Sequence, residues 1–254
     1  MTGLLIFKGE FFKYFNEKKY LLTMLILFVF NTLSVFYFKY LSSLSDQAVD
    51  SSSDVFAAFI ALFGLLFFTS YIATFVFMFY YPFHLLSMDY KNNVMALLVA
   101  SGVNRTRLFF SKVGAALIWT FAVSVVVFVV PFLVMLMFMI KSADLNFVLY
   151  SFLEGFGVFG KSFVEIGFDI ILKLLLSTVT LFLATIMLKG RGLSILLFFG
   201  LNMATSLVIG LFNIIPIKLN FSFLGLRLYT YLTMIIAILV IIVLGLERMK
   251  KQNL

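Results

Sequence analysis

The chain has no cysteine and a single histidine, which excludes a disulfide framework, a thiolate nucleophile, a cysteine-held zinc or iron–sulfur site and a multi-histidine metal centre. Charge is scarce too: Asp, Glu, Lys and Arg make up 12% of the 254 residues, about half of what a soluble domain carries. Only three prolines interrupt helix formation. What fills the sequence is apolar, with 63% hydrophobic residues, 35 Phe and a mean hydropathy of +1.15. That balance excludes a soluble globular fold. Nineteen basic against eleven acidic residues leave a net charge of +8. Apolar runs separate the basic residues, so the excess reads as membrane topology and not as a nucleic-acid surface.

A helix rises about 1.5 Å per residue and a bilayer core is about 30 Å thick, so a span needs roughly 17–25 mostly apolar residues. Six stretches qualify, at about 20–38, 55–81, 113–140, 170–188, 193–215 and 228–246. The expected fold class is therefore an all-α membrane protein with a six-span domain over 20–254. The third stretch lies within Leu108–Ile140, too long for one upright span, which sets Trp119 at the inner interface. Placing the N-terminus in the cytoplasm puts thirteen of the nineteen Lys and Arg on the inner side, including Lys8, Lys13, Lys91, Arg105, Arg107 and Lys112. Both termini are thus expected in the cytoplasm. No small-residue cleavage site follows the first apolar run, so that run is expected to stay as a span.

Residues 1–19 combine Leu4, Leu5, Phe7, Phe11, Phe12 and Phe15 with Lys8, Lys13, Glu17 and Lys18, a pattern that predicts an amphipathic helix in the headgroup plane. Ser42–Asp54 is a polar outer loop. Residues 141–169 are too apolar for a free loop and too glycine-broken for a seventh span, so a short amphipathic or re-entrant piece is expected there. Within it, Gly155–Ser162 reads GFGVFGKS and fits the phosphate-loop pattern at every fixed position. That loop needs a strand and a following helix of an α/β unit to aim its amides. No such unit precedes it and the topology sets it outside, so the match is read as false.

Between the second and third spans, Val94, Leu97, Leu98 and Ser101 fall at i, i+3, i+4 and i+7, which predicts a short helix capped by Asn92 or Asn93 and stopped at Gly102. Leu97-Leu98, Ser101-Gly102-Val103-Asn104-Arg105-Thr106 and Ser111-Lys112 then follow in order. In these residues the chain resembles the membrane subunit of ABC exporters of the ABC-2 type. Their inner loop carries a short coupling helix, paired leucines, a Ser/Thr-Pro turn, a Ser-Arg step and a Gly-Lys approach to the third span. Gly102 stands where that family often has proline, and Asn92-Asn93-Val94 where it often has a Gly-Thr pair. The resemblance, closest to small bacterial permeases for bacteriocins and cytolytic peptides, implies a multi-pass protein of the bacterial plasma membrane. It implies a permease without its own ATPase site, paired with a second permease as homodimer or heterodimer and with two copies of a cytoplasmic ATPase subunit that holds the ATP and magnesium. The coupling-helix loop would be 88–107, with Asp89, Tyr90, Val94, Leu97, Leu98 and Arg105 at the docking surface. This chain itself is expected to hold no cofactor or metal and to bind no nucleic acid.

Asn31 and Asn202 sit inside spans, where an amide either lines a path or bonds a neighbouring helix. Pro82 and Pro131 mark kinks, because each removes a backbone donor. Three other function classes compete with the permease. An intramembrane protease would need an HExxH or a paired aspartate, and neither is present. An ion-coupled secondary transporter would be expected to carry acids inside its spans and an inverted repeat, and none of the span cores holds an acid. A non-transporting receptor or assembly factor stays open. The Phe-rich helices suit an amphipathic or hydrophobic substrate, and the lack of a large outer domain favours export.

Overall fold

The computed structural model describes residues 3–45, 53–131, 133, 134, 137, 163–218 and 222–252. Its elements, in chain order, are α1 (Gly3–Asn16), α2 (Lys18–Ser45), α3 (Ser53–Lys91), α4 (Val94–Ala100), α5 (Arg105–Ser124), a π-helical segment (Val125–Val129), α6 (Phe163–Met187), α7 (Leu193–Lys218) and α8 (Phe223–Lys251). No strand occurs among the described residues. Six of the helical stretches are long and apolar enough to cross a membrane: Lys18–Tyr37, Phe68–Lys91, Arg105–Val127, Gly167–Met187, Leu193–Pro216 and Gly225–Lys251. These follow the six apolar stretches of the sequence, with two displacements; the third begins at Arg105, ahead of the expected 113. The second helix runs on past the expected end near Tyr81, through Pro82, to Lys91. The third is described only in part beyond Pro131, and Gly155–Ser162 and most of 141–169 lie outside the described residues.

The chain divides into two compact units, one of Met1–Asn16, Phe79–Thr120 and Phe163–Leu254, the other of Glu17–Met78 and Phe121–Ser162. In the first, α6, α7 and α8 pack on one another, and α6 is the buried member. Its threonines show how an apolar helix tolerates burying hydroxyls. Thr178, Thr180 and Thr185 each donate to the carbonyl four residues earlier at 2.7 Å, so no hydroxyl is left unpaired where water is absent. Phe79 meets Phe198 at 5.4 Å and Phe109 meets Phe182 at 6.5 Å, which ties α3 and α5 to the bundle. By contrast α7 and α8 expose rows of Leu, Ile, Val and Phe, surfaces that suit lipid. In the second unit, α2 packs on the π-helical segment, and Tyr20 lies 6.4 Å from Phe77.

Candidate functional site

In the first unit, several charged residues meet at the two ends of the α4 loop, while Glu165 and Arg227 pair with each other between α6 and α8 at 2.8 Å. A ring of ions begins at α1. The outward face of this helix carries Leu4, Leu5, Lys8 and Phe12, while Glu10 and Tyr14 are buried. A buried carboxylate needs a cation. Glu10 finds Lys112 of α5, with Nζ 2.8 Å from its Oε1, and Lys13 one turn on, at 3.0 Å. Lys112 also pairs with Asp89, near the end of α3, and Lys13 reaches the second oxygen of that carboxylate at 3.2 Å. Two carboxylates and two ammoniums thus close a neutral ring. Burial lowers the affinity of Lys13 for its proton, but Glu10 and Asp89 together raise it by more, so the ammonium is held above its ordinary value. Tyr14 is pushed up as well, first by burial and then by the Glu10 charge, and stays a neutral phenol.

An aromatic cluster sits beside the ring. Tyr81 donates its hydroxyl to the carbonyls of Lys13 and Tyr14 at 3.2 and 3.1 Å, satisfying acceptors that the last turn of α1 leaves without helical donors. Trp119 is fully buried against Tyr81 at 4.9 Å, Phe15 at 5.5 Å and Tyr14 at 5.9 Å. The indole that the sequence sets at an interface is therefore covered by α1.

Within the loop, α4 ends as expected at Gly102. Its φ of 84° is open to glycine, and the Val103 and Gly102 amides donate to the Leu98 and Val99 carbonyls, the six-to-one and five-to-two bonds of a Schellman stop. At the start, Asn93 adopts φ 56° and makes no side-chain cap, whereas Asn104 does cap α5 by accepting from the Thr106 amide at 2.9 Å. Met95 anchors α4 at 2% exposure, and Leu97 points outward at 67%.

The far side of the loop is fastened to the end of α8. Arg105 Nη1 lies 2.8–2.9 Å from the carbonyls of Met249, Lys250 and Gln252, where a guanidinium meets the negative end of the helix dipole. The Gln252 side chain accepts from Tyr90 Oη at 3.2 Å and donates to the Ile186 carbonyl. Ser87 donates to the Gly190 carbonyl, and a Cβ on Gly190 would stand 2.9 Å from Ser87 Cα, so only glycine lets α3 approach the turn after α6 this closely.

Of the residues that the sequence singles out, Asp89, Tyr90 and Arg105 are thus brought together as the base of the loop with their polar groups engaged inward. Val94 and Leu98 are half-buried, and Leu97 is the exposed one. Asn31 belongs to the second unit, where Ser70, Thr74 and the Val127 carbonyl surround its amide. Asn202 is half-buried on α7, its carbonyl accepting the Thr205 and Ser206 hydroxyls. Pro82 and Pro131 are both buried inside helical stretches. The sequence does not single out Glu10 or Gln252, and it marks Lys112 only as the approach to the third span. The available signal was an acid and a base each set in apolar sequence, Glu10 beside Phe11 and Lys112 before Val113.

The fold and this site define a class: an all-α membrane protein of multi-pass type, with a charged ring under its first helix and a short loop helix fixed at both ends. No family model, no curated protein and no solved structure matches the chain.

Proposed function

We propose that this chain is the permease subunit of an ATP-driven exporter of the ABC-2 type, moving an amphipathic or hydrophobic substrate, most simply a peptide, out of the cytoplasm or the inner membrane. ATP and magnesium would be held by two copies of a separate cytoplasmic subunit, and a second permease would complete the path. The observation that carries this reading is the mounting of α4. A lever must be stiff where it is fixed and bare where it is pushed. Asp89 and Lys112 clamp the base of the loop to α1, Arg105 and Tyr90 clamp it to the end of α8, and Leu97 stands free. In this reading Leu97, flanked by Val94 and Leu98, makes the contact with the ATPase, while Asp89, Tyr90 and Arg105 transmit the movement.

The test is a mild-detergent pull-down of the tagged chain from its native membranes, with mass spectrometry and an ATPase assay. A co-purifying soluble ATPase, lost in Leu97→Asp while the chain still folds, is the expected result. Because Leu97 is exposed, that substitution should change stability by no more than about 0.5 kcal/mol. Recovery of intact chain without any ATPase would sink the reading and direct attention to ion-gradient-driven transport.

A further inference from the structure

Two residues that the sequence marks for different reasons meet at one carbonyl. Pro131 has no backbone N–H, so the carbonyl four residues earlier, at Val127, loses the donor that an α-helix would supply, and the proline ring crowds that same carbonyl. Val125–Val129 is wound as a π-helix, with the Val130 amide donating to the Val125 carbonyl five residues back, and this wider turn relieves the crowding. Val127 is fully buried, so water does not serve its carbonyl. Asn31 does, through Nδ2 at 3.1 Å. The amide is itself held, because Ser70 Oγ donates to its Oδ1. Thr74 Oγ1 stands 3.4 Å from Nδ2 and donates to the Ser70 carbonyl at 2.9 Å. Asn31, Ser70, Thr74, Val127 and Pro131 all lie in the second unit.

We infer that this node is a hinge in the third spanning helix and that Asn31 is its pin. A helix bends most readily at a proline or a π-turn, and a bond from another helix to a carbonyl of that turn sets its stiffness. The pin is held on both sides, because Nδ2 carries two hydrogens and donates to the Thr74 hydroxyl at 3.4 Å as well as to the Val127 carbonyl at 3.1 Å. Asn31 is in this sense a positioning residue, and its role stands apart from the docking reading of α4.

Hydrogen exchange of the amides at 125–130, measured on the full chain in detergent micelles, tests the hinge in a two-by-two set. Asn31→Leu should speed exchange roughly tenfold with Pro131 in place. In the Pro131→Ala background the restored amide takes the Val127 carbonyl, and the same substitution should change exchange by about threefold or less. An equal effect in both backgrounds would mean that Asn31 is ordinary interhelix bonding, and the hinge would be wrong. Should Asn31→Leu not fold, Thr74→Val gives the second arm: it removes the acceptor that orients the other Nδ2 hydrogen of Asn31 and should speed exchange about threefold. Unchanged exchange in Thr74→Val overturns the proposal.

Discussion

Beneath α1 two buried carboxylates share buried Lys112 and half-exposed Lys13, whereas around Asn31 every polar group is neutral. Both places hold polar atoms against apolar helices, yet the chemistry differs with what each must hold. Each joins three stretches of chain at hydrogen-bond distance: α1, α3 and α5 through side-chain ions at the ring, and α2, α3 and the π-helical segment around Asn31. At Val127 one backbone carbonyl needs one donor, and an amide supplies it without bringing a charge into a span. The contrast teaches that the two sites should fail differently. Removing one ion leaves its partners charged and buried, while removing the amide leaves a single dipole unpaired.

That difference gives the largest expected effect. Lys112→Met strands Glu10 and Asp89 with Lys13 alone, and should destabilise the folded chain in detergent by about 3–5 kcal/mol. Asn31→Leu should lose only about 0.5–2 kcal/mol. Equal losses would break the comparison. It is sharpened by neutralising the ring as a set: Glu10→Gln, Lys13→Met, Asp89→Asn and Lys112→Met together should recover most of the stability, because the penalty comes from uncompensated charge and not from the missing bonds.

An intermediate case lies at the other end of the α4 loop. Arg105→Ala removes one cation from three backbone carbonyls at the end of α8, with an expected loss of about 1–3 kcal/mol and faster amide exchange in the last turn of that helix. Arg105→Lys should recover part of it, since an ammonium supplies the charge without the planar fork. A loss no larger than that of an exposed substitution such as Leu97→Ala would show that the end of α8 is held by packing alone.

How much of this could be read beforehand follows from the range of each signal. The spans were legible because hydropathy over twenty residues is a local sum, and the stop of α4 at Gly102 because a left-handed cap is a property of one residue. The ring was not, since Glu10 and Lys112 are 102 positions apart and nothing in either stretch names the other. The resemblance sets Asp89 and Arg105 at a docking surface; in the folded chain both side chains are engaged inward, because Lys13, Lys112 and the end of α8 carry the complementary groups. Asn31 and Pro131 were both visible, and only the fold shows that they act on one carbonyl.

Lys13 provides the smallest test, and the one that separates its half of the ring from Lys112. Its side chain is 38% exposed where that of Lys112 is 3% exposed, so water screens its pairs with Glu10 and Asp89. Lys13→Met should therefore lose under about 1 kcal/mol at neutral pH, and raised salt should shrink the difference. Its pH dependence has a fixed sign. Because the two carboxylates hold the folded-state pKa above the ordinary 10.5, the native form binds the proton more tightly than the unfolded form. The contribution of Lys13 is then complete below that value and fades as the pH climbs past it. Stability curves of the parent chain and Lys13→Met should keep a constant separation below pH 10.5 and draw together as the pH climbs past it. Curves that stay parallel over that range would mean that Lys13 stabilises by covering apolar surface with its stem and that Lys112 alone neutralises the ring.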